Sequence, residues 1–206
     1  MHKKLFIFAI FTAAVCFLNG PSFCFADEGP GKIIVESIDK ALGILKDPSL
    51  QGMDQYEQRR QTLWIELKPV FNFEETAKRA LGRHWLKLTE DEKNKFSDSF
   101  TKILRDIYLG KSDSYQGEKI VYVREVVEGN RGKVQTNFFT VDQKKVVVDF
   151  SMQNVDNTWK IYDVIIEGVS MVSNYRSQFN SIMSKGSFEE LMEKLEEKKQ
   201  SITSLN

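Results

Sequence analysis

The spacing of hydrophobic residues changes near residue 118, and this change divides the chain into two kinds of structure. From residue 33 to 112 apolar residues recur every three or four positions, which is typical of amphipathic helices. From residue 119 to 167 β-branched and aromatic residues dominate, which favours strands. Helical spacing returns after residue 169. The pattern therefore predicts an α+β fold, with helices first, then an antiparallel sheet, then helices.

Several helices are predicted before the sheet. One apolar stripe covers residues 34–45 and a second covers residues 56–67, and each is followed by a proline. Asn72 and Thr89 are each followed three residues later by glutamate, a capping-box pattern that marks the start of a helix. The helix after Asn72 should end at Gly82, because glycine favours the conformation that terminates helices.

The central region predicts four strands joined by short turns. Connections of two to four residues join neighbouring antiparallel strands, so the four should form a meander. Helices are expected over residues 169–185, ending at Gly186, and over residues 188 to about 199. The four predicted strands cover residues 119–128, 133–141, 145–154 and 158–167.

Two of these strands do not alternate cleanly between apolar and polar residues. Phe138 and Phe139 are adjacent, and the strand at 158–167 carries apolar residues at both odd and even positions. A strand with one face in water should alternate, so this part of the sheet is interpreted as apolar on both faces. Two explanations stay open at this point. Helices cover both faces, or one face lines a cavity for a ligand.

The first 26 residues have the features of a cleavable secretory signal. Lys3 and Lys4 precede an apolar run at residues 5–18, and small residues precede the expected cut after Ala26. The run is shorter than the roughly 20 residues that a membrane-spanning helix needs. We therefore expect an exported protein, with residues 27–206 forming one domain.

Removal of this signal changes the chemistry of the chain. Cys16 and Cys24 leave with it, so the mature protein has no disulfide and no thiolate ligand for zinc. Of the two histidines, only His84 remains. The mature net charge is about −2, without the basic excess that is usual in nucleic-acid-binding proteins. We expect no bound metal, no cofactor and no nucleic-acid partner.

Signals for an enzyme are weak. The chain has neither a G-x-S-x-G nucleophile motif nor a glycine-rich phosphate-binding loop. His84 is interpreted as a residue that fixes a helix junction. Asp163 interrupts an apolar strand, where it could act as a general base or accept structural hydrogen bonds. We favour the structural role and predict no catalytic residues.

Three segments resemble one known family. Residues 159–179, WKIYDVIIEGVSMVSNYRSQF, are similar to the signature of the MlaC-type (toluene-tolerance) periplasmic phospholipid-binding proteins. Residues 73–85 resemble the family's F-[DN]-F…A…A-L-G-x-x-W segment, and residues 89–108 resemble the helix that follows it. The similarity covers nearly the whole mature chain in order.

The resemblance implies a fold, a ligand and partners. The fold would be a strongly twisted antiparallel sheet, like that of nuclear transport factor 2, wrapped by helices. The ligand would be a phospholipid, carried between an outer-membrane lipoprotein–porin complex and an inner-membrane ABC transporter with its MCE-domain substrate-binding subunit. Such a shuttle maintains outer-membrane lipid asymmetry. Alternatives are a hopanoid or other hydrophobic ligand, an isomerase-like enzyme with Asp163 as base, or an adaptor with a peptide-binding groove.

On this basis a set of residues is predicted to line the lipid site. They are apolar or aromatic side chains on the helix at 89–108, on the sheet and on the helix after it. Arg83 and Arg176 are placed at the mouth, where a guanidinium can meet a phosphate; the alternative is that each forms a structural ion pair. The predicted wall residues are Phe100, Leu104, Tyr108, Phe138, Val148, Phe150, Ile161, Val164, Ile166, Val169, Val172 and Tyr175.

Overall fold

Six helices and five strands follow one another in a computed structural model that describes residues 29–205. The predicted signal, residues 1–26, lies outside the described residues. The helices, numbered in chain order, are α1 (Pro30–Lys46), α2 (Tyr56–Leu67), α3 (Phe73–Leu81), α4 (Glu90–Gly110), α5 (Met171–Met183) and α6 (Phe188–Leu205). Short 3₁₀ turns connect the first four helices.

The strands form one antiparallel sheet in sequence order, which confirms the α+β prediction and the meander. A fifth strand of two residues lies where the sequence predicted the start of a helix. It arises because Glu167 and Gly168 both adopt positive φ angles, 50° and 79°, and turn the chain back onto β4. The strands are β1 (Lys119–Glu128), β2 (Arg131–Phe139), β3 (Lys145–Val155), β4 (Thr158–Ile166) and β5 (Val169–Ser170).

The predicted helix caps are present. The backbone N–H of Glu75 donates to Asn72 Oδ1 at 3.0 Å and starts α3. At the start of α4 the Glu92 N–H donates to Thr89 Oγ1 at 3.3 Å, and the Thr89 N–H donates to the Glu92 carboxylate at 2.7 Å. This reciprocal pair is a complete capping box. Gly82 follows α3 with φ of 58°, a conformation that glycine adopts without strain.

A β-bulge explains why β4 lacks a clean alternation. Met152 pairs with Ile161 and the preceding Ser151 pairs with Asp163, so Tyr162 is an extra residue on β4. The bulge resets the alternation, so that Ile161 and Val164 face the same side of the sheet. The interpretation that these residues make both faces of β4 apolar is therefore wrong.

Two buried clusters hold the fold together. The sheet core lies between α1 and the face of the sheet that carries Ile161 and Val164. It contains Ile34, Val134, Met152, Trp159 and Ile161. The helical core lies between α3, α4, α5 and α6, and it contains Ala77, Ala80, Leu81, Trp85, Phe96, Phe100, Ile103, Leu104, Tyr175, Phe179, Leu191 and Leu195. Within residues 29–205 no helix combines the length and the apolar composition needed to cross a membrane.

Candidate functional site

An apolar cavity of about 250 Å³ lies between the sheet core and the helical core. Its walls come from α2, from the start of α3 and the segment before it, from α4, from the end of β4 and from the first residue of α5. Aromatic and aliphatic side chains form almost all of this wall. The lining residues are Trp64, Leu67, Phe71, Phe73, Thr76, Leu104, Arg105, Tyr108, Leu109, Val164, Ile166 and Met171.

Backbone hydrogen bonds fix the segment before α3 against β4. The Asn72 N–H donates to the Ile161 carbonyl at 2.8 Å, and Phe71 forms a parallel bridge with Ile161. The ring of Phe71 then stacks on Phe73 with centroids 5.2 Å apart, and Phe73 contacts Trp64 at 5.3 Å. These three rings form one side of the cavity, and the adjacent β4 forms another.

The apolar face of the sheet continues beyond the cavity. Val164 pairs with Phe150, and Ile166 pairs with Val148, so each pair shares a face across β3 and β4. Phe138 lies on the same face of β2, because Thr136, two residues before it, pairs with Val148. The cavity is therefore one end of a longer apolar surface.

Asp163 lies beside the cavity and is fully engaged in hydrogen bonds. Its carboxylate accepts from Ser170 Oγ at 2.6 Å and from the Val172 N–H at 3.0 Å, which ties β4 to the start of α5. Burial, with the charge of Asp163, raises the pKa of the Tyr108 phenol above its usual value. Tyr108 therefore stays neutral through the physiological pH range.

His84 occupies the helix junction that the sequence predicted. It is buried, and its Nε2 lies 3.0 Å from Asn180 Oδ1 on α5. No cluster of three or more potential metal ligands occurs within residues 29–205.

Four of the predicted wall residues line the cavity. They are Leu104, Tyr108, Val164 and Ile166. Phe138, Val148 and Phe150 lie half-buried on the apolar face that continues from it. Their contact with a ligand stays a prediction.

The other predicted wall residues lie elsewhere. Phe100 and Tyr175 are in the helical core, with their rings edge to face at 4.9 Å, and Ile161 is in the sheet core. Val172 is buried beside Asp163, and Val169 is 65% exposed on β5. Helical or strand spacing identifies a buried face, but it does not show which part of that face borders a cavity.

The two arginines predicted at the mouth do not line the cavity. Arg176 Nε donates to the Arg79 carbonyl at 2.7 Å, and Arg83 donates to Ser184 Oγ at 3.3 Å. Both contacts join the end of α3 to α5. Their acceptors are a hydroxyl and a carbonyl, so neither contact is the ion pair that the sequence left open.

Residues before and within α3 were missed as wall residues. Trp64 and Leu67 were assigned only to a helical stripe, Phe73 was assigned only to the segment that resembles the family, and Phe71 was given no role. The available signal was the density of aromatic residues around Asn72. A helix cap flanked by two phenylalanines presents more apolar surface than a short helix needs.

Comparison with known proteins identifies the family to which this chain belongs. The profile of the family described as MlaC protein matches residues 35–197. The chain belongs to the MlaC protein family. This match includes all of the strands and all of the elements that line the cavity.

Individual MlaC-family relatives are distant in sequence but similar in length. The chain is 20% identical over 177 residues to the intermembrane phospholipid transport system binding protein MlaC of Haemophilus influenzae, covering 84% of this chain and 83% of the relative. It is 21% identical over 171 residues to toluene tolerance protein Ttg2D of Pseudomonas putida, covering 80% and 78%.

A solved structure shows the same fold. The phospholipid-binding protein from Ralstonia solanacearum, determined in complex with a phospholipid, superposes with a TM-score of 0.73 at 22% identity. The superposition covers 84% of this chain and 98% of that protein.

Proposed function

We propose that this protein is a non-catalytic carrier that binds a phospholipid in the apolar cavity and transports it through water between two membranes. The observation that carries the proposal is the wall of that cavity, which is built from aromatic and aliphatic side chains beside a continuous apolar sheet face. The named functions of the MlaC-family relatives, phospholipid transport and phospholipid binding, support it.

The energetics of lipid hydration explain why such a carrier is needed. Each methylene removed from water is worth roughly 0.8 kcal/mol, so exposing about 30 chain methylenes costs on the order of 20 kcal/mol or more. Free diffusion of a phospholipid across an aqueous gap is therefore negligible. A carrier must enclose the acyl chains and leave the charged headgroup in contact with water or with polar side chains.

The size of the cavity implies that its walls move apart on binding. A volume of about 250 Å³ is below the roughly 300–1,000 Å³ of ordinary small-molecule sites. A lipid with two acyl chains needs more room than this. The half-buried sheet face at Phe138, Val148 and Phe150 provides further apolar surface when α2 and α4 shift away from β4.

A catalytic role for Asp163 receives no support from its contacts. Both carboxylate oxygens already accept hydrogen bonds from the β4–α5 connection. Asp163→Asn should retain bound lipid while losing stability, about 1–3 kcal/mol, because the amide NH₂ cannot replace a charged acceptor. Lipid content and urea unfolding measure the two effects, and Asp98→Asn on the exposed face of α4 is the control.

Extraction of the purified mature protein tests the central proposal. Organic solvent denatures the protein and releases its ligand, which mass spectrometry then identifies and counts. Phospholipid in stoichiometric amount is the expected result. A hopanoid in the extract would identify the ligand as a hopanoid instead of a phospholipid. A protein that neither contains nor takes up any lipid would contradict the carrier function.

The cellular role that we propose follows from the family and from the predicted export signal. We propose that the mature protein works in the periplasm, exchanges lipid with the outer-membrane lipoprotein–porin complex and the inner-membrane ABC transporter, and maintains outer-membrane asymmetry. A strain lacking it should expose more phospholipid amine groups to a membrane-impermeant reagent. Unchanged labelling would contradict this role without affecting lipid binding itself.

A further inference from the structure

A charged pocket of about 320 Å³ adjoins the apolar cavity. The two share three wall residues, Trp64, Arg105 and Leu109, so they are adjacent. The remaining wall of the charged pocket is formed by Glu57, Arg60, Gln61, Asp106, Gly110 and Ile202. An apolar cavity next to a charged pocket suits one amphipathic ligand, whose apolar part lies in the cavity and whose charged part lies in the pocket.

Two adjacent arginines of α2, one of which lines this pocket, share a single acidic partner. Arg59 and Arg60 both pair with the same carboxylate, Asp113, so two guanidinium groups share one acid. Arg59 is buried and also donates to the Leu50 carbonyl at 3.0 Å. The Nε of Arg60 is buried without a hydrogen-bond partner in the described part of the chain. Asp113 therefore serves two guanidinium groups, and Arg60 keeps N–H donors that this carboxylate does not occupy.

Arg105 lines both the charged pocket and the apolar cavity. Its Nε donates to Asp106 at 2.7 Å, and its guanidinium lies 6.0 Å from the centre of the Trp64 ring. The planar guanidinium of arginine matches the oxygens of a phosphate. Arg105, on the wall that the two pockets share, and Arg60, on the wall of the charged pocket, thus offer N–H donors to a phosphate.

The same pocket also offers a carboxylate. Glu57 is exposed and lies one turn before Arg60 on α2. Among residues 29–205 no ion pair or side-chain hydrogen bond engages Glu57. Its carboxylate is therefore available to a cation, whereas Asp106 is already held by Arg105.

We infer that the charged pocket binds the headgroup of a zwitterionic phospholipid, with the phosphate at Arg60 and Arg105 and the cationic nitrogen at Glu57. This inference rests on the proposed carrier function and adds a headgroup preference to it. A zwitterion supplies a phosphate for the remaining N–H donors of Arg60 and Arg105 and a cation for the unpaired carboxylate of Glu57. A headgroup without a cation carries the same phosphate but leaves Glu57 without a partner.

An exchange experiment measures the preference. The mature protein is incubated with vesicles of equal parts phosphatidylethanolamine and phosphatidylglycerol with identical acyl chains, and the bound lipids are extracted and counted. The wild-type protein should be enriched in phosphatidylethanolamine. Glu57→Lys should lower the bound ratio by about twofold to fivefold, the range expected for one exposed charge pair. High salt should weaken the preference by screening.

The arginine side of the pocket gives an independent result. Arg60→Gln should reduce the uptake of both lipids, because both contain a phosphate, and should change their ratio less than Glu57→Lys does. Arg131→Gln and Glu128→Lys are the matched controls, since both residues are exposed at the β1–β2 turn and line neither the charged pocket nor the apolar cavity. Both controls should match the wild type.

The outcomes separate this inference from the carrier proposal. Full lipid occupancy with the same headgroup ratio in the wild type and in Glu57→Lys would overturn the headgroup site and leave the carrier function intact. Absence of lipid from every variant would contradict the carrier function itself. Inorganic phosphate should compete with the headgroup. Phosphate that binds equally well to the lipid-filled protein would identify a free phosphate site instead and overturn the inference.

Discussion

Val164 lies on β4 where the apolar face of the sheet meets the cavity. It is half-buried, and its side chain lines the empty volume of the cavity. Val164→Phe should therefore occupy part of the cavity with little effect on the fold, and it should reduce the amount of bound phospholipid. Extraction and mass spectrometry of the purified variant measure the loss.

A matched substitution controls for the added ring. Val126→Phe on β1 introduces the same side chain at a position that is 52% exposed and distant from the cavity. It should bind lipid like the wild-type protein. Equal lipid content in both variants would mean that the space beside Val164 does not hold the ligand.

Tyr175 gives a prediction for the pH dependence of stability. Burial, with a smaller contribution from Tyr108, raises its pKa to about 12 in the folded protein, whereas an unfolded tyrosine titrates near 10. The unfolded state therefore releases its proton first as the pH rises. The contribution of this tyrosine to stability is complete below pH 10 and is lost between about pH 10 and 12, by about 2–3 kcal/mol.

The Tyr175→Phe variant isolates this effect. The variant keeps the packing against Phe100 and Phe179 but has no phenol to titrate. Urea unfolding at several alkaline pH values should show a shallower loss of stability than in the wild type. Identical slopes would show that Tyr175 does not contribute.

At the scale of elements, Arg59 joins α2 to the turn before it and to the segment after α4. From α2 it donates to the Leu50 carbonyl and to Asp113, which follows α4. Arg59→Met should destabilise the protein by up to the roughly 3–5 kcal/mol seen when a buried ion pair is broken, although Arg60 still pairs with Asp113. The free energy of unfolding in urea measures this.

An exposed ion pair provides the comparison. Lys40 pairs with Glu66 at 3.5 Å, with 62% and 41% of the two side chains exposed. Lys40→Met should cost less than about 1 kcal/mol, because solvent screens such pairs. Equal losses in the two variants would contradict the connecting role of Arg59.

The elements that could be predicted from the sequence are those specified by local pattern. Helix α3 begins at the Asn72 cap and β1 covers the predicted residues, because caps and β-branched runs act within a few positions. Strand β5 and the bulge at Tyr162 could not be predicted in this way. Both depend on pairing with a neighbouring strand, and that pairing has no local signature.

At the scale of the whole molecule, the cavity combines segments that lie about 100 residues apart. Trp64 on α2 and Val164 on β4 line the same space only because the segment before α3 binds the edge of β4 through Ile161. Apolar periodicity predicted that Leu104 is turned inward, and the family resemblance predicted that Val164 lines the site. Periodicity could not distinguish a cavity wall from a packed core, since both require the same residue types.

Lipid bound in this cavity should act as part of the folded structure. A ligand that binds only the folded state stabilises it by about 2.7 kcal/mol when its concentration is 100 times its Kd. The cavity walls exist only when α2, α4 and β4 are assembled, so the unfolded chain has no such site. Protein refolded without lipid should therefore melt at a lower temperature, and adding phospholipid should restore the Tm. Val164→Phe should show a smaller shift than Val126→Phe, because its site is partly filled. A Tm that does not respond to phospholipid in the wild-type protein would contradict binding in the cavity.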